Sequence, residues 1–169
     1  MVVAGAAMLA IGATASASTF DSEELDTFVE SATACIIGEV TSTEFVTNAG
    51  LIFTQATVTV TDTAFGSTAS EIKVLVPGGP VANTKFPIRQ SFAGVPTVST
   101  GQKMMLILNA TSESNSYAIA GLASGAINIV DNGSGPQVVL GGNAGLITLS
   151  QAISEIQDIR AGNSTLGSQ

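Results

Sequence analysis

The chain has 169 residues, with 13 Asp and Glu against 5 Lys and Arg, one Cys, no His and no Trp. The net charge of −8 disfavours binding to nucleic acid, because an acidic surface repels phosphates. The absence of His excludes Ser-His-Asp and Cys-His catalysis and His-ligated zinc. Charged residues make up only 11%, and hydroxyl groups on 18 Ser and 19 Thr take their place. We therefore expect one domain with a real core, a hydroxyl-rich surface and no bound metal or cofactor.

The first seventeen residues carry no charge and are almost entirely apolar or small. They end in Ala15-Ser16-Ala17, the small-x-small pattern that signal peptidase accepts. The sequence therefore predicts a signal peptide over residues 1–17, a mature protein that begins at Ser18, and no membrane span after processing. The alternatives are a buried Ala-rich helix or an N-terminal anchor that the mature protein keeps.

A short helix is predicted near each end of the mature chain. The first helix covers Phe20–Ala32, with Asp21 and Glu24 spaced as a capping box. The second helix begins after Thr148, whose capping partner is Gln151, and ends at Gly162. We expect residues 18–162 to form a single domain and residues 163–169 to be a disordered tail.

Strands are predicted between these two helices. In Leu51–Ala64, small and apolar residues alternate with threonines, which predicts one buried and one solvent-facing side. The Pro77-Gly78-Gly79-Pro80 loop is not expected to continue a ladder of hydrogen bonds. The other predicted strands are Cys35–Val46, Glu71–Val76, Met104–Asn109, Tyr117–Leu122, Ala126–Val130 and Gln137–Leu140. Of these, Tyr117–Leu122 and Ala126–Val130 are predicted to pair around residues 123–125. The pattern predicts a mainly β fold, a small antiparallel OB-like barrel or a sandwich, with a helix at each end.

Several motifs have a simple structural interpretation. The Gly78-Gly79 and Gly141-Gly142 pairs lack the Lys of a phosphate-binding loop and are interpreted as turns. Residues 131–136 are predicted to be a hairpin turn rather than a calcium loop. Cys35 lies among small and apolar residues and is predicted to be a buried free thiol. Five carboxylates could contribute to a hydrolytic pair, but their spacing in the sequence does not single out any two of them. They are Glu39, Glu44, Asp62, Glu71 and Glu113.

The order of landmarks resembles a loosely defined group of uncharacterised secreted bacterial proteins. Its elements are a V-x-G-x-V strand, a P-G-G loop, a G-x-P turn and a G-[EQ]-x-x-[LM] strand entry. They correspond here to Ile37-Gly38-Glu39-Val40, Val76-Pro77-Gly78-Gly79, Ala93-Gly94-Val95-Pro96 and the segment from Gly101 to Leu108. The resemblance implies a five-stranded OB-like barrel, similar in outline to netrin-type and metalloproteinase-inhibitor domains.

The chain departs from this group at informative places. The inhibitor domains chelate zinc through an N-terminal cysteine, whereas Ser18 would be the first mature residue here and Cys35 lies well inside. Protease inhibition by that route is therefore not carried over. Binding of oligonucleotides is also disfavoured, because the barrel would be acidic and poor in aromatic residues.

These observations predict an exported, non-enzymatic barrel that is secreted or located in the periplasm or at the cell surface. It is expected to bind an unidentified protein or envelope component at or outside the cell envelope. The long irregular segment from Pro77 to Pro96 is the predicted binding face. Its candidate binding residues are Pro77, Gly78, Gly79, Phe86, Arg89 and Phe92. The alternatives are a self-associating subunit of a surface filament or adhesive layer and, more weakly, a carboxylate-based hydrolase.

Overall fold

The computed structural model describes residues 22–48, 50–81, 88–140 and 145–163. A short 3₁₀-helix covers Leu122–Gly125. The signal peptide, the Asp21 cap, the Gly141-Gly142 pair and residues 164–169 of the tail lie outside the described residues. The helices and strands are α1 (Ser22–Ser31), β1 (Ala34–Asn48), β2 (Leu51–Phe65), β3 (Glu71–Pro77), β4 (Gly79–Pro80), β5 (Arg89–Gln90), β6 (Lys103–Ala110), β7 (Ser116–Ile119), β8 (Ala126–Asn128), β9 (Val130–Asp131), β10 (Pro136–Val139), β11 (Leu146–Thr148) and α2 (Leu149–Arg160).

Five strands close into a barrel in the order β1-β2-β3-β7-β6, and β6 pairs again with β1. The pairings around this ring are antiparallel except for β3 with β7, which is parallel. The mainly β architecture with a helix near each end is confirmed, and of the two predicted arrangements the barrel is the one that forms. Closure pairs the edges of a small sheet that would otherwise expose unpaired backbone groups.

The predicted pairing of the strands around residues 123–125 is wrong. Both β7 and β8 pair with β6, at different points along it, and the 3₁₀-helix lies between them. Gly121 has a φ of +63° and leads directly into the 3₁₀-helix, so four helical residues rather than a tight two-residue turn separate β7 from β8. The free edge of β7 pairs with β3 instead, which closes the barrel.

The expectation that Pro77–Pro80 cannot continue a ladder is also wrong in part. The Gly78 N–H donates to the Ile52 carbonyl (2.7 Å), one step beyond the last β2–β3 pair. Gly79 and Pro80 then form the two-residue strand β4, which pairs with β5. Pro80 can lie here because this ladder is two residues long, so its missing N–H interrupts no continuing sheet.

The barrel interior is the first of two hydrophobic cores. The predicted alternation in β2 is confirmed: Ala56 and Val58 are buried, and Val60 is half-buried against the same core. On the other side of the strand Thr59 is exposed. Gly38 of β1 makes room for this packing, since a Cβ there would lie 2.6 Å from the Val58 Cγ1 atom. The remaining buried members are Ala34, Ile36, Val40, Ile72, Val74, Val76, Met104, Leu106, Leu108 and Tyr117.

A second core lies outside the barrel wall, beneath the two helices. Cys35 and Ile37 of β1 and Met105 and Ile107 of β6 belong to this core rather than to the interior. Residues 34–37 and 104–108 are therefore buried on both sides, which explains their continuous apolar character. The helices contribute Leu25, Val29, Ala152, Ile156 and Ile159, and Ala32 joins them directly after the end of α1. The predicted capping box of Thr148 and Gln151 is present at the start of α2.

A three-stranded sheet in the order β11-β10-β9 joins the barrel to α2. The predicted hairpin turn at residues 131–136 is confirmed by the pairing of β9 with β10. The Asp131 side chain accepts a hydrogen bond from the Gly133 N–H (3.0 Å), which closes the turn. The strand β11 follows a glycine-rich stretch and was not expected from the sequence.

Cys35 offers a test of the second core, where its thiol is fully buried. Burial raises the pKa of the Cys35 thiol from 9.0 to about 12. The unfolded chain loses this proton at a lower pH than the folded protein, so stability should fall as the pH rises from about 9 to about 12.

We expect the native protein to resist thiol reagents at pH 8, and Cys35→Ala to cost about 1 kcal/mol while removing this pH-dependent loss. Urea unfolding of both proteins at pH 7 and pH 10 measures the effect. Rapid labelling of folded protein, or equal pH dependence in the two proteins, would contradict the burial.

Candidate functional site

A cavity of about 560 Å³ opens at one mouth of the barrel. It lies where β3 ends and β6 begins. Its walls come from the distal half of the β1–β2 hairpin, the Pro77–Gly79 turn, β5 and residues 91–100. A volume of this size is typical of pockets that bind small molecules.

The cavity exists because β1 and β2 are longer than their partners. The β1–β6 pairing ends at Glu39 with Lys103, and beyond this point β1 has only β2 beside it. A register shift between Val40 and Ser42 marks the place where β1 leaves the barrel. Past this irregularity Thr43 lies opposite Ala56, a residue of the barrel interior. The hairpin therefore carries the inner face of the barrel beyond its closed part.

Residues 92–101 cross the mouth of the barrel and are held to it at several points. Val95 and Val98 pack against the interior core. The Gly101 N–H donates to the Val40 carbonyl (2.7 Å), and the Ala123 N–H donates to the Gly94 carbonyl (2.8 Å). Apolar anchors and backbone hydrogen bonds thus fix this irregular segment, which makes it a preformed wall of the cavity.

The two glycines of the P-G-G loop are required by close contacts. Gly78 has a φ of +104°, and a Cβ there would lie 2.8 Å from the Gln90 carbonyl oxygen. A Cβ on Gly79 would lie 2.9 Å from Ile52 and 3.0 Å from the ring of Phe45. A side chain at Gly78 would collide with β5, and one at Gly79 would collide with the hairpin. Both glycines have the positive φ that was expected of them, although Gly79 belongs to β4 and not to a turn.

Two polar side chains fasten the loop to β2. The Thr54 hydroxyl donates to the Gly78 carbonyl (2.8 Å). The side-chain oxygen of Gln90 accepts a hydrogen bond from the Ile52 N–H (2.8 Å). These bonds satisfy backbone groups at the point where the β2–β3 ladder ends. Thr54 and Gln90 therefore hold the cavity in shape.

Five of the six candidate binding residues line this cavity together: Pro77, Gly78, Gly79, Arg89 and Phe92. The sixth, Phe86, lies outside the described residues. Sequence reasoning missed the contribution of the hairpin, above all Phe45, whose side chain is 52% exposed. A signal was available, since the apolar start of β1 changes at Thr41 to a mostly polar run that contains this one aromatic residue.

Among the described residues that line the cavity, Arg89 is the only charged one. Within the part of the chain that the structure describes, its guanidinium group has no hydrogen bond or ion pair to a side chain. No Asp or Glu occurs between positions 77 and 112, although the whole chain has a net charge of −8. The cavity is thus a locally cationic site on an acidic protein.

A second, smaller cavity of about 270 Å³ lies on the outer side of β3 and β7. Its lining is almost entirely apolar and includes Phe53, Leu75 and Leu122. It shares Val76, Pro77 and Pro96 with the first cavity, so these three residues form a common wall.

The candidate carboxylates do not meet in either cavity. Glu39 and Glu71 lie in one row across β1, β2 and β3, with Thr59 between them. Their backbones are two strand spacings apart, about 10 Å, and neither residue is among those that line the two cavities. Glu44 accepts a hydrogen bond from Gln55. No group of three metal-binding side chains is found among the residues that the structure describes.

Comparison with known proteins does not assign a function to the chain. No helix within the described ranges is long and apolar enough to cross a membrane. The sequence matches no known protein family, and a search of curated proteins finds no significant relative.

Proposed function

We propose that this chain is an exported, non-enzymatic barrel that binds a component of the cell envelope through the cavity at the barrel mouth. The observation that carries the proposal is the convergence of Pro77, Gly78, Gly79, Arg89 and Phe92 on one preformed cavity. The proposal of export rests on the uncharged, mostly apolar segment that ends in Ala15-Ser16-Ala17. Binding rather than catalysis is supported by the described part of the cavity lining, which contains no acidic residue and no nucleophile–base pair.

The cavity has the properties of a binding site rather than of a packing defect. Its lining combines hydroxyl groups, one guanidinium group and the exposed rings of Phe45 and Phe92. Phe92 is 42% exposed, so both rings present apolar surface to solvent at the rim. Polar groups that can fix orientation beside exposed apolar area are typical of ligand sites.

A structural role in a filament or adhesive layer is the second candidate function. It is favoured by the small sheet, where Val139 and Leu146 lie opposite each other and are 47% and 52% exposed. Both β9 and β11 are outer strands of this sheet within the described residues, and an open strand edge can pair with another chain. This candidate predicts contacts at β9–β11 instead of at the barrel mouth.

The proposal is tested with two matched substitutions. Ser91 lines the cavity and is exposed, so Ser91→Trp should fill the cavity without disturbing either core. Ser114 is equally exposed and lines neither cavity, so Ser114→Trp is the control. The measurement is the fraction of each folded protein that sediments with isolated bacterial cell envelopes. We expect the wild type and Ser114→Trp to sediment alike and Ser91→Trp to stay largely in solution.

Equal binding by Ser91→Trp and Ser114→Trp would show that the cavity is not the binding site. No sedimentation of the wild-type protein would overturn envelope binding altogether. Circular dichroism of all three proteins verifies that the substitutions leave the fold unchanged.

A further inference from the structure

The chemistry of the barrel mouth narrows the class of ligand. The described residues of the cavity lining include one cationic group, Arg89, no acidic group and several hydroxyls. The chain as a whole has a net charge of −8, so its long-range field repels strongly anionic ligands. A ligand with one negative charge would meet this repulsion least while still pairing with Arg89. The charge pattern therefore favours a singly anionic group over polyphosphates and nucleic acids.

The geometry of Arg89 favours a carboxylate. A guanidinium group presents a planar fork of N–H donors that matches the two oxygens of a carboxylate. The Arg89 side chain has no hydrogen bond or ion pair to another side chain within the described ranges, so its donors remain available. An incoming carboxylate would not have to displace an internal partner.

The rest of the lining suits a carbohydrate. Thr43, Ser91, Thr97 and Ser99 supply hydroxyl groups that can both donate and accept hydrogen bonds. The rings of Phe45 and Phe92 offer exposed flat surfaces against which the C–H face of a sugar ring can pack. The ligand that combines these features has hydroxyl groups, an apolar ring face and one carboxylate.

We propose that the barrel mouth binds a carboxylate-bearing sugar unit of an envelope glycan, with Arg89 pairing with the carboxylate. This inference rests on the proposed function and specifies its ligand class. The probe is a glucuronosyl-galactose disaccharide, and its neutral methyl ester is the matched control because the two differ only at the carboxyl group.

Titrations followed by amide NMR shifts compare the two sugars on the wild type and three variants. We expect the acid to bind the wild type about 10-fold or more tightly than the ester, the gain typical of a hydrogen bond to a charged group. Arg89→Gln should abolish this preference, and Arg89→Lys should retain part of it. Lys73→Gln removes the same charge from an exposed position outside the cavity and should change nothing.

Equal affinity for the acid and the ester would overturn the inference, as would an unchanged preference in Arg89→Gln. An absence of saturable binding by the acid would also overturn it. In each of these cases, loss of envelope binding in Ser91→Trp would leave the proposed function standing. If Ser91→Trp still binds envelopes, the proposed function fails on its own measurement.

Discussion

Val58→Asp is expected to prevent the protein from folding. Val58 lies in the middle of β2, fully enclosed in the barrel interior, opposite Val40 on β1 and Ile72 on β3. An aspartate there would be an unpaired charge in an apolar core. The cost of an uncompensated buried charge is about 3–5 kcal/mol or more, comparable with the whole stability of a small domain. Circular dichroism and thermal unfolding measure the loss.

The neighbouring residue provides the control. Thr59 is exposed, and Thr59→Asp should fold with a cost of about 1 kcal/mol, because Glu39 and Glu71 lie on either side of it. Thr59→Asn lacks the charge and should be close to neutral. A soluble, fully folded Val58→Asp protein would overturn the register of β2 and with it the barrel.

Ile156→Ala is expected to cost about 2–5 kcal/mol of unfolding free energy. Ile156 is fully buried in the second core, between α2 and the outer side of β1 and β6. Removing its side chain leaves a cavity that the neighbouring helix and strands cannot fully close. Urea denaturation should show a lower midpoint with an unchanged slope.

Ser154→Ala, on the exposed side of the same helix, should shift the midpoint little. The same midpoint for Ile156→Ala and the wild type would mean that α2 does not pack on the barrel.

The docking of α2 is also supported by Arg160, whose guanidinium group donates to the Val29 carbonyl (3.2 Å) near the end of α1. A cation at that helix end is favourable.

The parts of the fold that follow local patterns could be predicted from the sequence. The alternation of β2 identified its inner face, and the capping box placed the start of α2. These signals are local, because the residues of one strand face or one helical turn are enough to specify them. The first half of β1 and most of β6 are buried on both sides, so they show no alternation from which a face could be assigned.

Long-range pairing could not be predicted in the same way. The parallel pairing of β3 with β7 joins segments separated by about 40 residues, and no local signal specifies it. The two-residue strands β4 and β5 are too short to leave a pattern.

The same distinction between local and long-range signals applies to the candidate site. The loop residues were found because proline and glycine mark irregular backbone. Phe45 was missed because its role depends on where β1 leaves the barrel.

Hydrogen exchange can locate the binding surface, which we expect to be the mouth of the barrel. Mass spectrometry would compare amide exchange in the free protein and in the protein bound to isolated bacterial cell envelopes. We predict slower exchange in peptides that cover residues 89–100 and the β1–β2 hairpin around Phe45 and Thr54. Protection confined to β9–β11, or no protection at residues 89–100, would contradict binding at the barrel mouth.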